Sequence, residues 1–309
     1  MTMDQGPRWE PEEPPPPQPS GPSPMNLSTV FEVGTRILRR HWGVLLLVSL
    51  LFVGPGALLS SATALRFTEV FLDLFPELDG SVLVDTDRVF TAAELERAVE
   101  GLVPFLGASL LAGVLGSIGA LAFSATVMED YHARPAMSGT VLRKALRRTP
   151  SALAFMLVTG LLIVGLTVLG LLGMSVATFI LPAAGGGGGP GVFIALVMAV
   201  GLAVALVYLT MRWAPAYPVM VEEDAGWREA LRRAWHLSAD SVLRIFAVSL
   251  IVALLTTIIS SVLGALFEGL LGGVIGPALG LHELVTSTIA LAMAGVVVAP
   301  AMAVYSAVL

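Results

Sequence analysis

Six runs in this chain, residues 43–65, 101–127, 152–181, 191–211, 245–267 and 284–309, contain no Asp, Glu, Lys, Arg or His. A hydrocarbon core about 30 Å thick is crossed by roughly 20 apolar residues in a helix, each advancing the axis by about 1.5 Å. Only structures that satisfy their own backbone groups survive there. With 56% hydrophobic and 13% charged residues, the 309-residue chain carries more apolar surface than a soluble core can hide. The fold class that follows is all-α integral membrane: six transmembrane helices, with residues 26–309 as a single membrane domain.

The stretches between these runs are sorted by charge. Arg8, Arg36, Arg39 and Arg40 precede the first run. Arg134, Arg143, Lys144, Arg147 and Arg148 separate the second from the third, and Arg212, Arg228, Arg232, Arg233 and Arg244 separate the fourth from the fifth. The other cations, Arg66, Arg88 and Arg97, share the stretch after the first run with nine acids from Glu69 to Glu100. Positive loops are retained on the cytoplasmic side. The expected topology therefore has both termini in the cytoplasm of a plasma membrane, and the net charge of -6 is a sum over two faces. Arg outnumbers Lys 16 to 1 beside abundant Ala and Gly, a usage that points to a bacterial chain.

Residues 1–25 are rich in proline, with Glu10, Glu12 and Glu13 and Trp9 as the one aromatic. Such a segment buries too little to order itself and has no signal-peptide pattern, so a disordered cytoplasmic tail is expected. Gly54-Pro55-Gly56 predicts a kink in the first span, and Gly185 to Gly189 with Pro190 predict a hairpin turn. In the outer loop, Phe67, Val70, Phe71, Leu74, Phe75 and Leu78 form an apolar stripe at helical spacing, read as an amphipathic helix on the outer leaflet. Thr91 and Glu94 have capping-box spacing at the start of the helix that feeds the second span. Asp85-Thr86-Asp87 between them is read as solvated acidic surface.

Three segments repeat one design: a short basic amphipathic helix ending in Leu-Arg-Arg, followed closely by a span. The triplets are Leu38-Arg39-Arg40, Leu146-Arg147-Arg148 and Leu231-Arg232-Arg233. In the third, Trp227, Ala230, Leu231, Ala234 and Trp235 share one face while Arg228, Arg232, Arg233 and His236 share the other. In the second, Val141, Leu142 and Ala145 oppose Arg143, Lys144, Arg147 and Arg148. The spans leading into these two segments end alike, in Glu129-Asp130 and in Glu222-Glu223-Asp224. The unit is a helical hairpin preceded by an interfacial helix, used three times, its apolar face in acyl chains and its cations among anionic headgroups. Trp42, Trp213, Trp227 and Trp235 lie where an aromatic belt would place them. The candidate binding residues are therefore Arg39, Arg40, Arg143, Lys144, Arg147, Arg148, Arg228, Arg232 and Arg233 with Trp227 and Trp235. The expected partners are anionic membrane lipids or another membrane protein, with no nucleic acid.

The absence of Cys removes disulfides, thiolate metal sites and a Cys nucleophile. Paired carboxylates can hold a metal or move protons. Here each acid cluster adjoins an arginine helix, and ion pairing that sets membrane depth is the favoured reading. His41, His132, His236 and His282 are scattered without metal-ligand spacing. No catalytic, metal or cofactor-binding residue is assigned. The charge-free spans disfavour proton-driven transport, although a helix broken at Gly54 to Gly56 can present backbone groups to a solute. A permease for a lipidic or small amphiphilic solute is the alternative to a lipid- or partner-binding protein. A membrane-embedded hydrolase ranks third, because no nucleophile, base and orienting acid assemble from these residues. Gly113, Gly116 and Gly119, with the glycines from Gly160 to Gly173, are read as close-packing positions.

The stretch Arg212-Trp213-Ala214-Pro215-Ala216-Tyr217-Pro218, followed by Glu222 and by Glu229-Ala230-Leu231-Arg232-Arg233-Ala234-Trp235-His236-Leu237, resembles the glycerophosphoryl diester phosphodiesterase membrane-domain family. Gly34 with Arg39-Arg40-His41-Trp42-Gly43, after a Pro-rich tail, looks like its stand-alone bacterial members. The resemblance covers about residues 26–309 in architecture and is motif-specific over 34–43 and 212–237. It implies a membrane domain without the soluble barrel that carries phosphodiesterase chemistry in two-domain relatives, and hence no transfer of that activity. It also implies a short polar tail after the last span, where this chain ends at Leu309.

Overall fold

Each charge-free run lies in a helix, as a chain immersed in lipid requires of its backbone. The computed structural model describes residues 27–74, 91–177, 188–239, 241–275, 278 and 283–308. In chain order the helices are α1 (Leu27–Val48), α2 (Gly54–Leu74), α3 (Ala92–Tyr131), α4 (Ser138–Ser175), α5 (Gly188–Trp213), α6 (Ala216–Glu222), α7 (Trp227–Leu237), α8 (Val242–Leu270) and α9 (Glu283–Val308). Wider π turns occupy Ser49–Val53 and Leu271–Ile275, and there is no strand among the described residues. Six helical stretches are long and apolar enough to cross a membrane: Ser28–Val70, Ala92–Tyr131, Ser138–Ser175, Gly191–Glu222, Val242–Gly273 and Val285–Val308. They contain the six expected spans in order. The tail over 1–25, Asp85 to Asp87, Phe75 and Leu78 of the outer stripe, Gly185 to Gly187 and His282 lie outside the described residues.

Three expectations change. The kink at Gly54-Pro55-Gly56 is a π turn within a continuing helix. Pro55 has no N–H for the preceding turn, and widening the helix lets the Gly54 N–H reach the Ser49 carbonyl. The outer stripe is not a separate helix on a leaflet, because nothing between Leu65 and Leu74 breaks α2. Its Phe67 stacks on Phe105 of α3 at 5.0 Å, and Val70 packs over Gly101. Among the glycines, Gly113, Gly170 and Gly173 do face neighbouring side chains, but Gly116, Gly160 and Gly165 face open space.

The closest backbone approach is elsewhere. A Cβ on Gly56 would stand 3.3 Å from the Ala112 Cα, so only glycine lets α2 and α3 meet at this depth. α3 and α9 are the most enclosed crossings. α5 packs on α4 and leaves Val192, Phe193, Leu196, Val200 and Val204 exposed, which lipid can cover. The first and last helices close the bundle: Phe31 and Tyr305 rings meet at 5.2 Å, and Thr35 Oγ1 and the Tyr305 hydroxyl are hydrogen-bonded at 3.0 Å.

The start of α3 shows the expected capping box. The Glu94 N–H donates to Thr91 Oγ1 at 3.3 Å, and the Thr91 N–H donates to Glu94 Oε2 at 2.8 Å. Thr91→Ala should cost about 1 kcal/mol locally. Amide exchange in the first turn of α3 should then speed up about fivefold, and unchanged exchange would show the cap to be dispensable.

Candidate functional site

The N-termini of α1, α4 and α8, the C-termini of α3 and α9, and α6 and α7 meet at one end of the bundle, and the acidic and basic motifs converge there. The backbone sets the acids in place. After α3, Ala133 adopts φ 56°, the Ala133 N–H donates to the Asp130 carbonyl at 2.9 Å, and the Arg134 N–H donates to the Glu129 carbonyl at 2.8 Å. After α6, Asp224 adopts φ 57°. Each acid-bearing helix thus stops in a left-handed residue, which leaves its carboxylates against the next arginine segment.

Within each Leu-Arg-Arg triplet it is the second arginine that makes the closer ion pair. Arg40 Nη1 donates to Asp130 Oδ1 at 3.2 Å, Arg148 pairs with Asp224, and Arg233 Nε meets Glu223 Oε1 at 2.7 Å. The first arginines lie outward. Arg39 and Arg232 have no ion pair among the described residues, and Arg147 Nη2 lies 3.7 Å from Asp224 with its side chain 76% exposed, against 17% for Arg148. Lys144 pairs with Glu129, His132 Nε2 lies 3.3 Å from Glu222, and buried His41 donates from Nε2 to Asp130 Oδ1 at 2.8 Å. Arg143 is exposed and has no ion pair among the described residues, while Arg228 lies over the Trp227 ring at 5.0 Å. The acid clusters are therefore neutralised by cations. Among the described residues no group of three His, Asp or Glu side chains converges as a metal site would require.

The amphipathic helices themselves differ from the reading of three separate interfacial units. α1 runs on through a bend at His41 (φ −114°, ψ 19°), and α4 runs on from its basic turns into the membrane. Only α7 stands alone. Ile37, Val141, Ala145, Ala230 and Ala234 all enter the protein core, so these faces are covered by other helices rather than by acyl chains. Alanine explains the preference, since it offers little area to lipid but permits helices to approach closely. The apolar side chains left outside at this end are Trp42, Leu146, Trp235 and Leu237.

Arg212 was legible in the sequence only as a boundary cation, yet it fixes α7. Its guanidinium stands 5.2 Å from the centre of the Tyr208 ring and 4.8 Å from that of Trp235. Nη1 donates to the Trp235 carbonyl at 3.0 Å, and Nη2 donates to the Tyr208 hydroxyl at 2.8 Å. Ser238 Oγ donates to the Ala234 carbonyl at 2.8 Å and lies 3.2 Å from the Arg212 carbonyl. The spacing of Tyr208 and Arg212, one helical turn apart, was the available signal. Trp235 is thus partly a structural anchor.

Architecture and charge pattern together define the class: an all-helical, multi-pass membrane protein with a charge-paired cluster at one end. Comparison with models of protein families, with curated proteins and with solved structures finds no match to this chain.

Proposed function

We propose that this is a non-enzymatic bacterial plasma-membrane protein whose arginine-rich end faces the cytoplasm and binds anionic lipid headgroups, the same surface being available to a membrane partner. The observation that carries the proposal is the division within the triplets. Arg40, Lys144, Arg148 and Arg233 are held by carboxylates, while Arg39, Arg143, Arg147, Arg228 and Arg232 remain outward beside exposed Trp42, Leu146, Trp235 and Leu237. Cations flanked by aromatic and aliphatic side chains suit a headgroup boundary, where phosphate meets hydrocarbon. A hollow of about 400 Å³ lined by Arg232, Arg233, His236 and Leu237 offers room for one such group. Membership of the glycerophosphoryl diester phosphodiesterase membrane-domain family, as a form without the catalytic barrel, belongs to the same proposal and rests on the motifs over 34–43 and 212–237.

The permease reading has less support. The Gly54 N–H is already bonded to Ser49, and a Cβ at Gly54 would stand 3.1 Å from Val296 Cγ2, so this backbone is not free to receive a solute.

The test is retention of phosphatidylglycerol by the solubilised protein. Replacing Arg39, Arg143 and Arg232 together by Gln should weaken it about tenfold, since each cation at an anionic surface contributes up to ~1 kcal/mol before screening. Undiminished retention would sink the lipid reading. Orientation has its own check, made simple by the lack of Cys. An impermeant maleimide added to intact cells should label Glu96→Cys and leave Arg134→Cys unlabelled, and the reverse pattern would invert the topology.

A further inference from the structure

At the end of the bundle opposite the arginine cluster, α2, α8 and α9 enclose a crevice made of three joined hollows. The deepest, about 280 Å³, is apolar, with Leu50, Pro55, Leu58, Phe267, Val296 and Val297 on its walls. It shares Leu58 and Ile289 with a wider hollow of about 660 Å³ that reaches Arg66 and Glu69. That hollow in turn shares Leu65 and Thr288 with one of about 390 Å³ bordered by Glu268. From Gly54 to Arg66 the crevice follows twelve residues of α2, about 18 Å of helix. One leaflet of hydrocarbon is about 15 Å deep, half of a core of roughly 30 Å. An acyl chain anchored at the Arg66 level would therefore end at the π turn.

We propose that this crevice holds one zwitterionic phospholipid, its tail in the apolar hollow, its phosphate at Arg66 and its ammonium at Glu69 and Glu268. The charges choose the headgroup. Arg66, Glu69 and Glu268 are exposed around the same mouth, and none has an ion pair among the described residues. A single cation with two carboxylates repels a purely anionic headgroup overall, whereas a phosphate and an ammonium on one lipid satisfy both signs. The π turn before Pro55 bounds the crevice at its apolar end, where Gly54 packs closely on Val296. This site is separate from the arginine-rich surface, so either proposal can fail alone.

The test reconstitutes the full chain in nanodiscs containing traces of phosphatidylethanolamine or phosphatidylglycerol, each with a photoreactive group near the end of one acyl chain. The expected result is cross-linking concentrated on peptides from α2, α8 and α9, with the ethanolamine lipid about fivefold above the glycerol lipid. Arg66→Gln with Glu268→Gln should abolish that preference, and Val297→Trp should displace the tail without touching the charges. Equal labelling by both lipids, or a preference that survives loss of both charges, would overturn the headgroup assignment. Label spread evenly onto α4 and α5 would overturn the site itself. Arg66 and Glu268 are exposed, so their variants are expected to fold, and an unchanged thermal transition confirms it.

Discussion

Asp130→Ala should destabilise the folded bundle by about 3 kcal/mol, while Glu129→Ala, one residue away, should cost about 1 kcal/mol. The difference lies in what each carboxylate leaves behind. Asp130 accepts from Arg40 and from His41, and the side chains of His41 and Asp130 are 8% and 11% exposed. With the carboxylate gone, Arg40 can turn to water, but the His41 ring remains enclosed at the bend of α1 with its Nε2 unpartnered. Lys144, the partner of Glu129, has a side chain 45% exposed and can be solvated in place. Asp130→Asn keeps an acceptor and should fall between the two. Unfolding by denaturing detergent, followed through the fluorescence of Trp42 beside His41, measures all three. Equal losses from the two alanine variants would show that burial of His41 is not what makes Asp130 important.

The six crossings were legible because lipid imposes a crude demand, length without charge, that sequence displays directly. Pairing of the acid clusters with arginines was legible for a related reason: charges near hydrocarbon need partners. Which arginine pairs was not. Arg39 and Arg40 look alike in sequence, and only the direction each takes from α1 brings Arg40 to Asp130. Periodicity also could not tell a helix face covered by protein from one covered by lipid, since both require the same apolar stripe. Ala230 and Ala234 carried the missing signal, because small residues favour close helix packing over insertion among acyl chains. The separate interfacial helices at α1 and α4 were lost for another reason. Polarity changes sharply at the membrane boundary, but a backbone with no breaker at that point continues through it. Closure of the bundle by Thr35 and Tyr305 joins residues 270 positions apart, a contact that no local pattern records.

The pair formed by Arg148 and Asp224 should behave asymmetrically when dismantled. Asp224 lies in the left-handed region, where Asn is nearly as acceptable as Asp, so Asp224→Asn removes charge without backbone strain. It strands Arg148, which is largely enclosed and whose Nε already lacks an acceptor. Arg147 stands beside it as a like charge with no other anion within ion-pair reach among the described residues. A loss of about 2 kcal/mol is expected, below the 3–5 kcal/mol for breaking a fully buried pair because the carboxylate side is 62% exposed. Arg148→Met removes the enclosed cation instead and leaves Asp224 in water, so it should cost less than Asp224→Asn. Adding Asp224→Asn to Arg148→Met should then cost nothing further, because there is no buried charge left to strand. Measured as a double-mutant cycle in the same detergent titration, this predicts a coupling of about 2 kcal/mol. Additive losses would mean that Arg148 is stabilised by its packing alone and that the second arginine of each triplet has no structural role to set it apart from the first.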